Sequence, residues 1–563
     1  MEEVAAVLGL SPGYVQSVAT FYGMFHFRPV GRHVISVCDS ISCALLGSET
    51  LVHYLEKKLG VAVGETTPDR RFTLREVECL GACDRAPSCS STPPSTTISR
   101  RRRSTRFWSS TGERRPFLST LLLVDTGRRR QTLVDYEAEG LRHAAARAGN
   151  HVARGCHAEE VKKSGLRGRG GASFPTGMKW GFLPKDYPGP RYLVCNADEG
   201  EPRNLQGPPI LEWLPHRLIE GRHVSSAATP SAPWLAYIYI RGEYYDAMNA
   251  VNEALAEAYR RGYLGRSVMG KQFACDIYTH PGAGAYICGE ETALLDSLEG
   301  KRGHPRVKPP FPAIAGLYAR PTVINNVETL ASLPLILEKG GDWFAAMGPN
   351  KSKGFRLFSV SGHVKHPGNF EVPLGTTFRQ LIYDLAGGMR SDKPLKAFIP
   401  GGASAPIFTP EHLDLPLDFE AVAEAGSMLG SGAVIVMEEG TCMVWVAKKL
   451  SRFFRDESCG QCLPCREGTA WLNKILTRIE DGRGSLEELE ILLDASSNMT
   501  ARCICVLPDA AAGPVQSTLK YFRHEYEEHL RLGRCPFRNG DGRSPVADSA
   551  GKVAHSQEDG KHL

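Results

Sequence analysis

Three cysteines, each two residues from the next, are the strongest chemical signal in this chain. Cys459, Cys462 and Cys465 form C-x2-C-x2-C in SCGQCLPCREGT, and Cys505 follows further along. Three thiolates in one tight turn fit one face of a cubane [4Fe-4S] cluster, and a fourth thiolate closes it. A zinc ion is the alternative occupant. The pattern predicts a [4Fe-4S] centre at these four cysteines.

Two further cysteine pairs lie near the start of the chain. Cys38 and Cys43 give C-x4-C, and Cys79 and Cys83 give C-x3-C. Each pair directly follows a predicted strand, so the two loops can converge on one small centre. Four thiolates suit a [2Fe-2S] cluster, whereas structural zinc pairs more often use C-x2-C. We expect a [2Fe-2S] centre here, and incidental buried thiols are the alternative.

The stretch 165–180 reads GLRGRGGASFPTGMKW and carries too many glycines for an ordinary helix or strand. Glycines remove the Cβ where a flat ring or a phosphate approaches the backbone, and basic residues add positive charge. The combination suits a planar, phosphate-bearing cofactor. A solvated basic loop is the alternative. The residues that we expect to contact the cofactor are Gly168, Arg169, Gly170, Phe174 and Lys179.

A polar loop follows a predicted buried strand in RYLVCNADEGE, residues 191–201. Asn196, Asp198 and Glu199 suit a ribityl chain and a ring edge, and Glu201 suits a nucleotide ribose. Polar groups just past a buried strand fit the crevice at the carboxyl end of an α/β sheet. A solvated turn is the alternative.

A glycine-punctuated turn opens a helix in GAGAYICGEETALLDSLEG, residues 282–300. Helix N-terminal amides can face a ring or a phosphate. Glu290 and Glu291 are adjacent, so on a helix they do not face one another, and we discount acid/base hydrolysis. A protein kinase is discounted because its catalytic-loop and metal motifs are missing from the sequence.

Bulk composition restricts the class of protein. The chain has 563 residues, 42% of them hydrophobic, with a net charge of +5 and 16 cysteines. This length predicts several domains, and the small charge gives no strong field for a polyanion or a membrane. Apolar stretches stay well below the roughly 20 residues of a membrane span. We therefore expect a cytosolic or peripheral protein whose clustered cysteines bind metal.

Two resemblances become clear from these motifs. VATFYGMFHFRPVG, the two N-terminal cysteine pairs and CLGACDRAP resemble the thioredoxin-like 24-kDa subunit of respiratory complex I. From residue 133 to about 538, the chain resembles the 51-kDa subunit of complex I, which binds NADH and FMN. The implied α/β multidomain fold has a truncated thioredoxin-like [2Fe-2S] module (1–87), an aberrant Ser/Arg-rich linker (88–132), a Rossmann-like FMN/NADH domain (133–350), a β-grasp domain (351–440), a helical [4Fe-4S] bundle (441–540) and a disordered tail (541–563).

The second resemblance also implies residue roles. Gly289 and Glu290 contact FMN, and Glu291 approaches the nicotinamide or its ribose. Glu201 and Glu291 are the candidates for modulating hydride donation. The remaining implied contacts are Asn325 and Asn326 for FMN, Tyr286 for a cofactor, Lys308 and Phe311 for the adenine half of NADH, and Phe174 and Phe182 for stacking.

The implied reaction is hydride transfer from NADH to FMN, followed by one-electron transfer to the [4Fe-4S] cluster. Partner subunits of the complex I peripheral arm, notably the large iron–sulfur subunit, would carry the electrons toward quinone. The [2Fe-2S] centre would be a side store. The resemblance implies a cytoplasmic location, peripheral to the inner face of the cell membrane through the complex, with no direct membrane insertion and no nucleic-acid partner.

Other functions stay open. The diaphorase part of an NAD-reducing hydrogenase or of an NAD-dependent formate dehydrogenase uses the same motifs. Segments 88–131 and 203–209 depart from the family, which we interpret as shifted reading frames, and they leave open an impaired, non-catalytic assembly subunit. Cys503 is an extra cysteine, since Cys505 aligns with the family's single one. We expect Cys442, Cys535 and the other cysteines outside the two clusters to be plain thiols.

Overall fold

The computed structural model describes residues 1–83, 86–92, 121–123, 129–139, 153–202, 206–227, 234–270 and 274–537. Most of the predicted linker 88–132 and the whole predicted tail 541–563 lie outside the described residues. So do positions 203–205 of the divergent segment 203–209. The described residues form three β-sheets and a C-terminal set of helices.

The first sheet belongs to the N-terminal module and has the order β2-β1-β3. Strand β1 (His33–Cys38) pairs in parallel with β2 (Phe72–Val77) and antiparallel with β3 (Cys89–Thr92). Because β1 and β2 are parallel neighbours, the loops after them leave the sheet side by side. The helices of this module are Glu2–Leu8, Pro12–Ala19, Ile41–Leu45 and Ser48–Leu59.

The second sheet has four parallel strands in the order β6-β5-β4-β7. They are β4 (Arg191–Ala197), β5 (Trp234–Ile240), β6 (Cys275–Pro281) and β7 (Thr322–Asn326). The chain runs outward from β4 to β6 and then returns to place β7 on the other side of β4. The strand order therefore reverses between β4 and β7, and sheets of this kind bind ligands at the carboxyl ends of such strands.

Both faces of this sheet are buried. Along β4, Tyr192 and Val194 pack into one apolar core, while Leu193, Cys195 and Ala197 pack into another. Successive side chains point to opposite faces, so both sides must be covered. The helices of this region are Leu133–Ala138, Ala153–Lys163, Thr176–Trp180, Gly207–Trp213, Pro215–Ala227, Tyr245–Arg260, Glu291–Leu298, Pro312–Ala315, Val327–Lys339 and Gly341–Ala345, with short 3-10 turns at Val268–Gly270, Tyr286–Gly289 and Leu317–Ala319.

The third sheet mixes parallel and antiparallel pairs. Its order is β10-β11-β8-β9, and of these pairs only β11 with β8 is parallel. Phe358, Phe378 and Phe398 are fully buried in the core beneath it. The strands are β8 (Phe355–Gly362), β9 (Gly368–Pro373), β10 (Leu395–Ile399) and β11 (Ala433–Glu438), and the helical segments are Gln380–Leu385, Pro410–His412 and Phe419–Glu424.

The C-terminal region is helical, as the sequence predicts. The buried side chains of Val444, Leu472, Leu489 and Val515, one from each helix, share one core. In the described part of the chain, every helix is too short or too polar to cross a membrane. The four helices are Met443–Asp456, Leu463–Glu480, Leu486–Met499 and Leu507–Leu532.

The N-terminal module packs against the later domains through polar contacts. The buried carboxylate of Asp39 pairs with Lys449 Nζ and Arg452 Nη1, each at 2.8 Å. The hydroxyls of Ser42 and Ser361 share a hydrogen bond of 2.9 Å. These contacts attach the first cysteine loop of the module both to the C-terminal helices and to β8.

Candidate functional site

The crevice at the ends of β4 and β7 brings together loops that are far apart in the sequence. Asn196 Nδ2 donates to the carbonyl oxygen of Gly289 at 2.8 Å. Asn326 Nδ2 donates to Glu199 Oε1 at 3.1 Å, and the N–H of Gly207 donates to Glu199 Oε2 at 2.6 Å. Burial raises the pKa of Glu199 to about 7. A buried carboxylate thus joins both strand ends.

Asp198 and Asn325 are buried in the same region. Burial raises the pKa of Asp198 well above its usual range. The indole Nε1 of Trp180 donates to Asn325 Oδ1 at 3.1 Å. Trp180 ends the glycine-rich stretch, so this hydrogen bond attaches that stretch to β7.

The glycine loop passes directly over β7. A Cβ added to Gly170 would lie only 3.2 Å from the Cβ of Asn326. Gly168 donates its N–H to the carbonyl oxygen of Phe174 at 2.9 Å, which fixes the turn. Gly171 has φ near +123°, where glycine is favoured, and a Cβ there would meet no atom within 4 Å. The backbone therefore borders open space, and a flat ring fits such a cradle.

The sequence predicted that Arg169 contacts the cofactor, but the structure places its side chain elsewhere. Its side chain is fully buried, and its guanidinium donates to the carbonyl oxygens of Lys353 at 3.0 Å and Phe355 at 2.9 Å. Burial lowers its pKa to about 10. Arg169 thus attaches the glycine loop to β8, and its charge is not presented to a bound molecule. Sequence spacing did not reveal this because a basic residue beside glycines looks the same in either role.

Two lysines and two glutamates form a network at the start of the Glu291–Leu298 helix. Lys179 Nζ pairs with Glu291 Oε2 at 2.9 Å, and Lys308 Nζ contacts Glu290 Oε1 at 3.1 Å and Glu291 Oε1 at 3.3 Å. Burial opposes ionisation of Glu291, but Lys179 and Lys308 outweigh it and lower its pKa. Glu290 also caps the helix by accepting from the N–H of Thr292 at 2.8 Å. Both carboxylates are thereby fixed in position.

Glu201 is held by two different domains. The Tyr286 hydroxyl donates to Glu201 Oε2 at 2.5 Å, and both the N–H and the hydroxyl of Ser404 donate to Oε1 at 2.9 Å. Burial raises the pKa of Glu201. Ser404 follows β10 in the mixed sheet, a region for which the sequence indicated no chemistry. It is a site residue that sequence reasoning missed.

Three predicted stacking residues are exposed although they are aromatic. Phe174, Phe182 and Phe311 expose 44%, 54% and 57% of their surface. The rings of Phe174 and Phe182 lie 6.0 Å apart. In the sequence, Phe311 lies three residues from Lys308, and Phe174 and Phe182 lie on either side of Lys179. Exposed aromatic faces can stack on a nucleotide base.

The cysteine triplet surrounds the start of the Leu463–Glu480 helix. Cys462 is its N-cap, Cys465 lies in its first turn, and Ser458 Oγ lies 3.3 Å from Cys465 Sγ. Burial, the Cys459 and Cys465 thiols and the Glu290 carboxylate raise the pKa of Cys505 to about 12. Cys505 therefore lies within electrostatic reach of Cys459, Cys465 and Glu290.

Cys503 also approaches the triplet. Burial and the neighbouring Cys462 thiol raise the pKa of Cys503 to about 11. Cys503 lines a cavity with Cys462 and Lys308. The extra cysteine thus borders both the cluster region and the lysine–glutamate network.

The four N-terminal cysteines converge as predicted. Cys38 and Cys43 are buried, as are Cys79 and Cys83. The neighbouring thiols of Cys43 and Cys79 raise the pKa of Cys38, and the Cys83 thiol contributes to raising that of Cys43, so the four thiols lie close together. Arg241 donates to the carbonyl oxygen of Cys79. The second cysteine loop therefore packs against the residue that follows β5.

The spacing of the thiols distinguishes a cluster from a single ion. Among the described residues, one group of ligand atoms lies within 4.8 Å of one another, and it includes none of the eight predicted cluster cysteines. Ligands of one zinc ion lie roughly 4 Å or less apart. Neither set of predicted cluster thiols therefore contains three sulfurs packed as closely as the ligands of one ion, and all-thiolate sets are the usual ligands of iron–sulfur clusters.

Family models match four parts of the chain. The Nuo51 FMN-binding domain matches residues 161–335, and the thioredoxin-like [2Fe-2S] ferredoxin matches residues 1–91. The SLBB domain matches residues 357–408. The NADH-ubiquinone oxidoreductase-F iron-sulfur binding region matches residues 445–529. Together these models confirm the predicted cofactor classes FMN, [2Fe-2S] and [4Fe-4S].

Similar proteins cover most of the chain. The F subunit of the NADH-quinone oxidoreductase of Streptomyces coelicolor is 53% identical over 399 residues, which are 71% of this chain and 87% of that relative. The protein of the same name from Mycobacterium tuberculosis is 54% identical over 381 residues, 67% of this chain and 85% of that relative. The air-oxidized NAD+-reducing [NiFe]-hydrogenase structure aligns with a TM-score of 0.78 at 30% identity, covering 94% of this chain and 90% of that chain. The chain belongs to the family of NADH-quinone oxidoreductase F subunits.

Proposed function

We propose that this chain is the NADH dehydrogenase module of an NADH:quinone oxidoreductase. The observation that carries the proposal is the convergence of three parts on Tyr286. Its hydroxyl contacts Glu201, its main-chain N–H contacts Glu457 just ahead of the cysteine triplet, and Gly289, which ends its turn, contacts Asn196 at the end of β4. A flavin crevice and an iron–sulfur segment therefore share one loop.

FMN, held in this crevice, would supply the chemistry that links a two-electron hydride donor such as NADH to one-electron iron–sulfur centres. The protein's contribution is to bind and orient. The glycine loop 168–171 offers open backbone, Asn196 and Asn326 fix the strand ends, and Glu199 is held between them. These groups suit the ring edge and the ribityl chain of FMN.

For NADH, we propose that exposed rings and fixed carboxylates act together. Phe311, with Phe174 and Phe182, stacks on the adenine half beside Lys308. Glu201 and Glu291 lie next to the nicotinamide half and modulate hydride donation. No side chain needs to take a proton, because the reaction moves a hydride.

The proposed cluster ligands are thiolates. Cys459, Cys462, Cys465 and Cys505 would hold a [4Fe-4S] cluster, a one-electron carrier suited to link a flavin with partner subunits. We assign the [2Fe-2S] cluster to Cys38, Cys43, Cys79 and Cys83, whose loops lie side by side.

Finer assignments belong to the same proposal. We describe the parallel sheet as Rossmann-like, the mixed sheet as β-grasp and the four C-terminal helices as a bundle, with the domain limits given above. The partners would be peripheral-arm subunits, notably the large iron–sulfur subunit. The location would be cytoplasmic, at the inner face of the cell membrane through the complex.

The structural similarity favours a second candidate. An NAD+-reducing [NiFe]-hydrogenase chain aligns over 94% of this chain, so a diaphorase role beside a hydrogenase subunit is the alternative. Affinity purification of the full chain from its own cells separates the two. Co-purification of quinone-reductase subunits supports the first, and co-purification of a hydrogenase subunit supports the second.

An anaerobic NADH titration of the purified protein, followed by absorbance and EPR, tests the reaction. We expect NADH to bleach the flavin and to produce the EPR signals of reduced clusters. A protein that carries no flavin, or a flavin that NADH leaves oxidised, would overturn the proposal and would favour a non-catalytic assembly subunit.

A further inference from the structure

A second set of metal-ligand side chains lies apart from the cluster cysteines. Cys442, Glu480, His529 and Cys535 are all buried, and one ligand atom of each lies within 4.8 Å of the others. The sequence predicted plain thiols at both cysteines. It gave no signal for this group because Cys442 and Glu480 are distant in sequence from each other and from His529 and Cys535, and the last two do not have the spacing of a usual zinc motif.

The separations match one tetrahedral ion. Cys442 Sγ lies 3.4 Å from Glu480 Oε2 and 3.3 Å from His529 Nε2, and that nitrogen lies 3.3 Å from Glu480 Oε2. Tetrahedral zinc with sulfur, nitrogen and oxygen ligands places those atoms about 3.4 to 3.8 Å apart. A small shift of these side chains therefore suffices to bring the ligand atoms to bonding distance of one zinc ion.

Neighbouring groups orient the ligand atoms. His529 Nδ1 donates to the carbonyl oxygen of Glu525 at 2.6 Å, which leaves Nε2 as the ligand nitrogen. The N–H of Trp445 donates to Cys442 Sγ at 3.3 Å, as a thiolate ligand favours. The carboxylate of Glu525 accepts from the N–H of Met443 at 2.9 Å, so the same residue supports the cysteine segment and the histidine.

The position of the group in the helices suggests its role. Cys442 precedes the Met443–Asp456 helix, Glu480 ends Leu463–Glu480, and His529 lies near the end of Leu507–Leu532. The cluster cysteines lie at the opposite ends of these same helices. At 1.5 Å per residue, the two ends of these helices are roughly 20 to 40 Å apart along the chain.

We propose that Cys442, Glu480, His529 and Cys535 bind one structural zinc ion. The mixed set of two sulfurs, one nitrogen and one oxygen fits closed, four-coordinate zinc, and its burial leaves no open position for a substrate. The ion joins the helix ends distal to the [4Fe-4S] cluster to the segment beyond the last helix. It thereby fixes the spacing of the helices that carry the cluster ligands.

Metal analysis of the purified full chain tests this. We expect about one zinc per chain in addition to iron, and near-complete loss of zinc with unchanged iron in Cys442→Ser and in Cys535→Ser. Cys275→Ala, a buried cysteine outside both groups, is the matched control and should keep its zinc. Retention of zinc in both serine variants would overturn the proposal.

Zinc K-edge X-ray absorption of the unmodified protein identifies the zinc ligands even where a variant does not fold. The expected shell has two sulfurs at about 2.3 Å and two nitrogen or oxygen atoms at about 2.0 to 2.2 Å. Protein without zinc, or zinc surrounded by sulfur alone as in a cluster site filled with the wrong metal, would refute the assignment.

Discussion

The main-chain N–H of Tyr286 donates to the Glu457 carboxylate at 2.9 Å. Glu457 immediately precedes the segment with the cysteine triplet, and the Tyr286 ring packs 4.9 Å from that of Phe453 in the preceding helix. This relationship fixes the crevice relative to the proposed cluster. Sequence reasoning missed Glu457, because a single glutamate ahead of a cysteine motif carries no pattern of its own.

Replacing Glu457 tests that connection. Glu457→Ala leaves the Tyr286 N–H without this acceptor and should cost about 1 to 3 kcal/mol of stability, whereas Glu457→Gln keeps an oxygen acceptor and should cost less. We expect the alanine variant to have a lower melting temperature than the unmodified protein. We also expect the substitution to slow cluster reduction more than flavin reduction, and stopped-flow absorbance measures both rates. Equal behaviour of the two variants would contradict a role through this hydrogen bond.

Glu291→Gln should impair the reaction with NADH while flavin stays bound. The change removes a charge held by Lys179 and Lys308, and losing a charge-assisted interaction of about 1.5 to 3 kcal/mol corresponds to roughly 10- to 150-fold in kcat/KM. NADH:ferricyanide turnover and the flavin absorbance of the purified variant measure the two effects. Glu338→Gln, outside the site, is the control. Loss of flavin together with activity would count against the assignment to the nicotinamide side.

Glu201→Gln tests the contribution of the mixed sheet to the reaction with NADH. The amide cannot accept from both Tyr286 and Ser404 as the carboxylate does, so we expect a raised KM for NADH with normal flavin content. Ser404→Ala should show the same effect more weakly, because the Ser404 N–H remains. If Ser404→Ala leaves KM unchanged while Glu201→Gln changes it, the two residues do not act together.

Cys503 and Cys505 can be separated by serine substitution. Cys505→Ser should abolish the [4Fe-4S] EPR signal, since Cys505 lies near Cys459 and Cys465. Cys503→Ser should retain the signal, since Cys503 is the extra cysteine. Iron content and EPR of the NADH-reduced proteins provide the measurement, and the reverse result would assign the fourth ligand to Cys503.

The buried Glu199 predicts a pH dependence of stability. Burial raises its pKa from 4.5 to about 7, so its favourable contribution is full below pH 4.5 and is lost as pH rises through 7. In Glu199→Gln this loss is absent. We therefore expect the melting temperature of the unmodified protein to fall more between about pH 5 and 8 than that of the variant, measured without added flavin. Parallel curves would show that Glu199 does not titrate in this range.

Several features of this protein follow from local sequence. The cysteine triplet, the glycine loop and the polar loop after β4 are short patterns whose chemistry depends on residues close together in the chain. The positions of Cys38 and Asn196 near the carboxyl ends of strands could be predicted for the same reason, because the apolar residues that precede each of them are a local signal for a buried strand.

Other features depend on contacts between distant segments, which no local pattern encodes. The fully buried Arg169 binds carbonyl groups of β8 in place of a cofactor, and Ser404 reaches Glu201 from another domain. Cys442, Glu480, His529 and Cys535 meet because the start of one helix lies beside the ends of two others. The order of amino acids specifies which chemical groups are available. Tertiary packing decided which of them meet, because burial and hydrogen-bond partners are set by chain segments distant in sequence.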